Sequence, residues 1–521
     1  MSQMLKSSSA MGVATITSRI LGMVREMVYA PFLGTSWVAS AFFLAFQIPN
    51  LFRRLLGEGA LTAAFIPIFK AKEKKEGEKE MWRAANAVIS GLVIASSVVI
   101  GLTLIGITLA LRVGSFQPKT LLMLELLRVM FPYMLLVCLA AVFMGMLNAR
   151  GHFFIPAMGA TMLNIVMIGS VLFLAPNLGE TLHTQIFGLA IGVLVAGVAQ
   201  ASFQLPTLRR EGFRYEWVSP WRNDTVRQVV QKMVPAALGV AAFQINVLLT
   251  QGFAFWYGDK IVASFNYAVR LMELPQGVFG ISLATYLLPT LSGLASEKKF
   301  SEYRATLIQG LSYLTFVNLI ASALLLVLAE PIVRLLFERG QFDGDATRRV
   351  SLTLASMAPG LLAFSMVNIL ARAFYALGDI QTPMRISIVC LGLNAIFSFW
   401  LIGAFEAAGL GVANTMSAVF NVWLLFYALR RKMSRLDLTS LRDAFFYMAG
   451  AAAFCGESAW LLSRGWEKWL GHEGLVTKIG AVFVPAAGAG LVYFAATLWL
   501  KIEPALEVVN LVRQRWRKIF G

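Results

Sequence analysis

Runs of 20 to 30 mostly apolar residues recur along the whole chain, and that length is what a helix needs to cross roughly 30 Å of hydrocarbon. The runs do not alternate over ten residues as an outer-membrane barrel would. In hydrocarbon a backbone must satisfy its own hydrogen bonds, so the chain is constrained to a bundle of spanning helices. Candidate spans lie near 10–32, 36–69, 84–111, 121–149, 154–176, 184–208, 228–257, 261–295, 303–328, 350–377, 384–404, 407–429, 443–463 and 475–500, fourteen in all. With 58% apolar and only 14% charged residues in 521, no soluble domain of useful size is left over. The expected fold is an all-α polytopic membrane protein.

The Lys and Arg residues outside the spans set the orientation. With the N-terminus cytoplasmic, "KAKEKKEGEKEMWR" (70–83), the connection 209–232, "LRRKMSRLDLTSLR" (429–442) and the tail "RQRWRK" (513–518) all fall inside. About 28 basic residues then lie inside and about 10 outside. The net charge of +17 therefore reflects topology and attraction to anionic lipid headgroups, and no nucleic-acid partner is expected. The first apolar segment carries arginines and continues into a second span, unlike a cleavable signal peptide. Both termini are expected in the cytoplasm.

A repeat is hidden in the spans. "FPYMLLVCLAAVFMGMLNARGHFFIPA" (131–157) aligns without a gap on "APGLLAFSMVNILARAFYALGDIQTPM" (358–384), placing Pro132, Gly151 and Pro156 on Pro359, Gly378 and Pro383. Gly at a helix end and Pro at the next start are the punctuation that helices require. The copies are spans four to five and ten to eleven, an even six spans apart, so they share one orientation. The expected organisation is two parallel six-helix lobes, 1–220 and 221–436, with two extra C-terminal helices and a basic amphipathic tail in 437–521. Parallel repeats place a substrate path between lobes.

Several spans carry charge. Arg19 and Arg25 in the first would each cost about 3 kcal/mol facing lipid at mid-bilayer, yet they lie only about 120° apart around a helix and can share one polar face. The second span has Arg53, Arg54 and Glu58 after a Pro-Asn break, with Arg54 and Glu58 at i, i+4 spacing. The eighth has Arg270 and Glu273 just before Pro275. The plain alternative is that these arginines snorkel or tie helices together by pairing with Glu26, Glu58 and Glu273. Taken together, Arg19, Arg25, Arg53 and Arg270 exceed the buried acids and call for an anionic ligand. Guanidinium forks suit phosphate because they bind it bidentately and stay charged.

Other chemistry is missing from the sequence. It has no G-x-x-x-x-G-K-[ST] loop and no H-E-x-x-H; its three His lie in separate loops, and Cys138, Cys390 and Cys455 lie inside apolar spans. A transporter is expected, not an enzyme, with no cofactor and with energy from the membrane potential or a monovalent ion.

The segments "SRILGMVRE" (18–26), "AFFLAFQIPNLFRRLLGEGALTAAFIP" (41–67), "RLMELPQGVFGISLATYLLPTLS" (270–292) and "FYALGDIQTP" (374–383) resemble the MurJ (MviN) lipid II flippases of bacteria. These belong to the multidrug/oligosaccharidyl-lipid/polysaccharide exporter superfamily. The resemblance implies a flippase for the undecaprenyl-diphosphate-linked peptidoglycan precursor, moved from the cytoplasmic to the periplasmic leaflet of the inner membrane by alternating access through a cationic central cavity. It implies lipid II as the substrate and cell-wall synthesis machinery as a partner. It places the family's cavity arginines on Arg19, Arg25, Arg53 and Arg270, its gate acids on Glu58 and Glu273, and a lipid-tail groove on the two extra helices. The chain departs from the family at Ser40, Gln47 and Val269, where many relatives have an acid, a Lys and an Asp. Where some relatives bind sodium through an Asp, it offers Gln244, Asn246 and Asn394. Competing readings are a flippase for another polyprenyl-linked oligosaccharide and a drug/cation antiporter, the latter opposed by the shortage of buried acids.

The loop charges fix one expected outcome. Single cysteines at Ser36 and Gly77, in a background without the three native ones, label from opposite faces of the membrane; labelling of both from outside reverses the orientation.

Overall fold

A computed structural model describes residues 2–54, 61–433 and 438–520. Helices α1 (Ser2–Leu33), α2 (Trp37–Phe52), α3 (Leu61–Glu76), α4 (Glu78–Val113), α5 (Pro118–Met130), α6 (Tyr133–Ala149), α7 (Phe154–Gly169), α8 (Leu182–Arg210) and α9 (Asp224–Tyr257) come first. They are followed by α10 (Ile261–Pro275), α11 (Ser282–Ser296), α12 (Phe300–Val327), α13 (Ala329–Phe337), α14 (Gly344–Met357), α15 (Leu361–Ala376), α16 (Gln381–Lys432), α17 (Thr439–Leu470), α18 (Leu475–Trp499) and α19 (Glu503–Phe520). Among the described residues eight helices are long and apolar enough to cross a membrane, or nine counting α5 and α6 as one bent span. One of the eight, α16, runs 52 residues and is broken at Glu406, whose φ of 50° lies outside the helical region. The sequence boundary between spans eleven and twelve, 404–407, falls on that break. The remaining expected spans, α1, α2 with α3, α9, and α10 with α11, carry charges or interruptions, and the pattern is consistent with fourteen.

The interruptions follow the chemistry of proline, which removes a helical N–H and crowds the preceding turn. After Pro49 the second span passes into a π turn at 53–54, and after Pro275 the eighth does the same over Gln276–Ile281. The fourth bends by 43° between α5 and α6, next to Pro132. Nothing in the sequence reading anticipated α13, a nine-residue amphipathic helix.

Two compact units result. The first comprises Met1–Ala263 and Arg339–Gln341, the second Ser264–Glu338 and Phe342–Gly521. In the first, Phe65, Phe69, Met81, Phe143, Met146 and Phe213 form an aromatic-rich core. In the second, Leu287, Leu307, Leu311, Ile369, Leu370 and Phe374 form a mainly aliphatic core. Helices α17 and α18 belong to the second unit. Their small residues Ala451, Ala452, Cys455, Ala459 and Ala489 are buried with Tyr493, whose hydroxyl donates to the Phe316 carbonyl at 2.8 Å. A Cβ on Gly488 would lie 2.7 Å from Leu462 Cδ1. These positions let helices approach closely.

The repeat is visible at the level of single hydrogen bonds. The His152 amide donates to the Leu147 carbonyl at 2.9 Å, and the Asp379 amide to the Phe374 carbonyl at 2.9 Å, each the six-to-one bond of a Schellman turn. Gly151 and Gly378 hold φ at +87° and +75°, in the left-handed region. Putting Ala at either forces an L-residue there and costs about 1–2 kcal/mol. Gly450→Ala, inside α17 with open space around a new Cβ, instead gains roughly 0.5–1 kcal/mol. Thermal melts of the three variants in detergent therefore move in opposite directions, and a stable Gly151→Ala protein would refute the shared turn.

Candidate functional site

The arginines expected to meet a phosphate occupy different surroundings. Arg25 on α1 is buried, with 8% of its surface exposed. It pairs with the buried Glu26, donates from Nη1 to Asn164 Oδ1 on α7 at 3.1 Å, and lies 5.4 Å from the centre of the Tyr29 ring. Asn164 in turn donates to the Ser18 carbonyl at 3.1 Å, so one amide side chain braces α1 at two heights. The charge of Arg25 thus does two things: it ties α1 to α7 and is matched by one acid. Arg19, two turns earlier, is half-buried on a stretch whose Ile20 and Val24 are exposed.

Arg53 and Arg54 sit where α2 gives way to the π turn. Arg53 Nε donates to Asn50 Oδ1 at 2.8 Å, which directs the guanidinium along the broken segment. It lines a cavity of about 80 Å³ with Met144, Pro156, Gln200 and Gln204, room for two or three waters. Arg54 Nη1 reaches Gln244 Oε1 on α9 at 3.4 Å. Glu58, its expected partner, lies outside the described residues. Arg270, in the second unit, pairs with Glu273 at 2.8 Å one turn before the π turn, with side chains 37% and 46% exposed. A pair that open to solvent holds its charges loosely and leaves the guanidinium able to meet an incoming anion.

Three departures from the family pattern have defined settings. Ser40 is fully buried, and its Oγ accepts the Ala263 amide at 3.3 Å, capping the first turn of α10. An amide N–H of that kind satisfies a hydroxyl and would suit a carboxylate even better. Val269 is half-buried beside Arg270. Asn394 donates to Asn414 Oδ1 at 2.6 Å inside α16, while Gln244 is engaged with Arg54.

Sequence reasoning missed a further set of charges, outside the spans at the repeated turns. Arg150 bonds Glu211 at 2.8 Å and Glu78 at 2.8 Å and pairs closely with Glu73, while His152 Nε2 lies 2.8 Å from Glu211. Hydrogen bonds from His152 and Arg150 hold the Glu211 carboxyl below its usual range, and Lys70 leads in doing the same to Glu73. In the second copy the acid is on the turn: Asp379 pairs with Lys432 at the end of α16, and that bond with the Thr382 amide lowers its pKa to about 2. Each lobe's turn is thus fastened to the end of its last span, with the charges reversed. The 227-residue shift puts His152 on Asp379, the one sequence signal that could have found it.

Comparison with known proteins follows from this geometry. The sequence profile of the family described as lipid II flippase MurJ matches residues 29–479. The chain is 32% identical to the probable lipid II flippase MurJ of Vibrio cholerae serotype O1, over 96% of each chain. Its fold is similar to a solved lipid II flippase MurJ in an inward closed conformation, with a TM-score of 0.77 at 20% identity, over 94% of this chain and 98% of that one. A multidrug-resistance MATE family transporter in an inward-facing conformation shares the architecture with a TM-score of 0.65 at 16% identity, over 81% of this chain and 96% of that one.

Burial separates the two arginine–glutamate pairs. Glu26→Ala leaves a buried guanidinium without its carboxylate and is expected to cost roughly 3–5 kcal/mol, whereas Glu273→Ala at the half-open pair costs about 1 kcal/mol or less. Melting curves in one detergent check the order, and equal losses would show that the Arg25 pair is as solvated as the other.

Proposed function

The chain belongs to the lipid II flippase MurJ family, and from that premise we propose that it moves lipid II, the undecaprenyl-diphosphate-linked peptidoglycan precursor, from the cytoplasmic to the periplasmic leaflet of the bacterial inner membrane. The observation that carries the proposal is the near full-length match to the family, within which the guanidinium groups of Arg53 and Arg270 sit on broken spans.

Moving a diphosphate and an acidic peptide through bare hydrocarbon would strip water from charges at a prohibitive cost. Arg19, Arg25, Arg53 and Arg270 replace that water with charge-assisted hydrogen bonds, and guanidinium keeps its proton whatever the surroundings do. Glu26 and Glu273 hold Arg25 and Arg270 when the substrate has left. Alternating access then requires these pairs to compete with the phosphate for the same forks, so that neither the loaded nor the empty protein leaves a cation exposed to lipid. With both termini in the cytoplasm, export moves a negative headgroup toward the positive side of the membrane. Each net negative charge carried outward gains about 2.3 kcal/mol per 100 mV, so the membrane potential suffices as an energy source.

Drug/cation antiport is disfavoured by the same electrostatics, since a cationic drug would meet an excess of guanidinium. The likeness to a MATE transporter supports the architecture alone.

In cells depleted of their own flippase, Arg270→Ala is expected to abolish growth support and lower precursor translocation roughly tenfold or more, the equivalent of one charge-assisted bond. Arg270→Lys restores part of it, because charge remains and the bidentate fork is lost. Arg25→Ala is tested together with Glu26→Ala, which avoids an unmatched buried acid. Wild-type growth from both the Arg270→Ala and the Arg25→Ala/Glu26→Ala proteins would end the cationic-site proposal.

A further inference from the structure

A cavity of about 580 Å³ in the second unit lies away from the arginines discussed above. Three walls enclose it. The start of α12 supplies Ile308, Gln309 and Ser312, the start of α17 supplies Ser440, Ala444 and Tyr447, and the turn joining α18 to α19 supplies Lys501, Ile502 and Glu503. The hydroxyl of Tyr313 on α12 is bonded to Glu507 on α19, so the amphipathic tail helix is pinned against α12 and closes one side.

The cavity's level in the membrane is marked by its neighbours. Span α18 ends at Trp499, which is 83% exposed, two residues before Lys501, and Tyr447 is 57% exposed. An exposed Trp and Tyr next to a Lys at the end of a span mark the headgroup layer. The lining combines apolar Ile308, Leu441, Ala444 and Ile502 with polar Gln309, Ser312, Ser440, Tyr447, Lys501 and Glu503. Lys501 and Glu503 contribute one charge of each sign, and among the described residues neither is engaged in an ion pair. Lys501 holds φ at +55° as the left-handed residue that ends α18, where the Ile502 amide donates to the Thr497 carbonyl at 2.9 Å.

We propose that this cavity binds one zwitterionic phospholipid headgroup bearing a primary ammonium, as in phosphatidylethanolamine. Lys501 with the Ser312 and Gln309 side chains takes the phosphate. Glu503 with the Ser440 and Tyr447 hydroxyls takes the ammonium, whose three N–H groups require acceptors that a trimethylammonium cannot use. The acyl chains leave along the apolar wall. A purely anionic headgroup satisfies Lys501 but sets a second negative charge beside Glu503, so this site runs against the general preference of a +17 chain for anionic lipid. The proposal is independent of the flippase reading, because lipid retention is read without transport.

The test is native mass spectrometry of the full-length protein equilibrated with an equimolar mixture of phosphatidylethanolamine, phosphatidylglycerol and phosphatidylcholine of one chain length. The wild type is expected to retain phosphatidylethanolamine about fivefold over phosphatidylcholine, the worth of one exposed ion pair, and over phosphatidylglycerol as well. Glu503→Gln should bring phosphatidylethanolamine down to the phosphatidylcholine level with unchanged melting, and Lys501→Gln should lower both. Ala444→Trp, which fills the cavity, should remove the selectivity. A series of mono-, di- and trimethylated headgroups on the wild-type protein needs no variant and should show stepwise loss. Retention of phosphatidylglycerol equal to or above phosphatidylethanolamine, or no loss on methylation, overturns the proposal.

Discussion

A backbone amide in hydrocarbon has no water to bond, and every feature of this chain follows from where that rule is kept and where it is relaxed. It is kept along the apolar helices and relaxed at the interruptions after Pro49, next to Pro132 and after Pro275. Each break frees carbonyls and amides that protein must cover. Two of these breaks carry Arg53 and Arg270, and this is economical: a segment that already needs polar cover tolerates a charge that a regular lipid-facing helix would not.

Charge inside the units is arranged by how much water each group keeps. Arg25 and Glu26 are buried, and Asn164 takes a further guanidinium bond, so the pair works as a structural tie that a ligand must compete with. Arg270 and Glu273 are half-open, so their separation costs little. The latches at the repeated turns follow a separate logic. Arg150 and His152 in one copy, and Asp379 in the other, keep the backbone bond of the turn and reverse the charge of the side chain.

The sequence made the class, the span positions and the repeat legible because hydrocarbon thickness and helix ends act through local composition. The boundary at Glu406 and the glycines at 151 and 378 were readable for that reason. The charged cluster around Arg150 was not, because its partners lie far off in the chain, Glu73 and Glu78 on the facing ends of α3 and α4 and Glu211 at the end of α8, and His152 alone carries no signal. Helix α13 was invisible for another reason: nine residues are too few for periodicity to stand out beside a long span. The arginines of the first, second and eighth spans were identified as unusual, but whether each was buried or half-open depended on neighbours such as Asn164 and Gln244, far away in the chain.

The two C-terminal helices, α17 and α18, are fastened within the second unit at both ends. At one end Arg334 on α13 bonds Glu467 on α17 at 2.7 Å, and Lys478 on α18 reaches Glu338 at 3.6 Å. Along the middle Tyr493 donates to the Phe316 carbonyl, and at the other end Tyr313 holds Glu507 of the tail helix. Small residues on α17 and α18 allow the close packing between these ties. Helices fastened at both ends and packed between cannot slide against α12, so they must travel with the second unit through any conformational cycle. The unexpected α13 earns its place here: without Arg334 and Glu338 one end of the pair would be held by packing alone, and in lipid, where apolar surfaces gain nothing by leaving the tails, packing alone is a weak fastening.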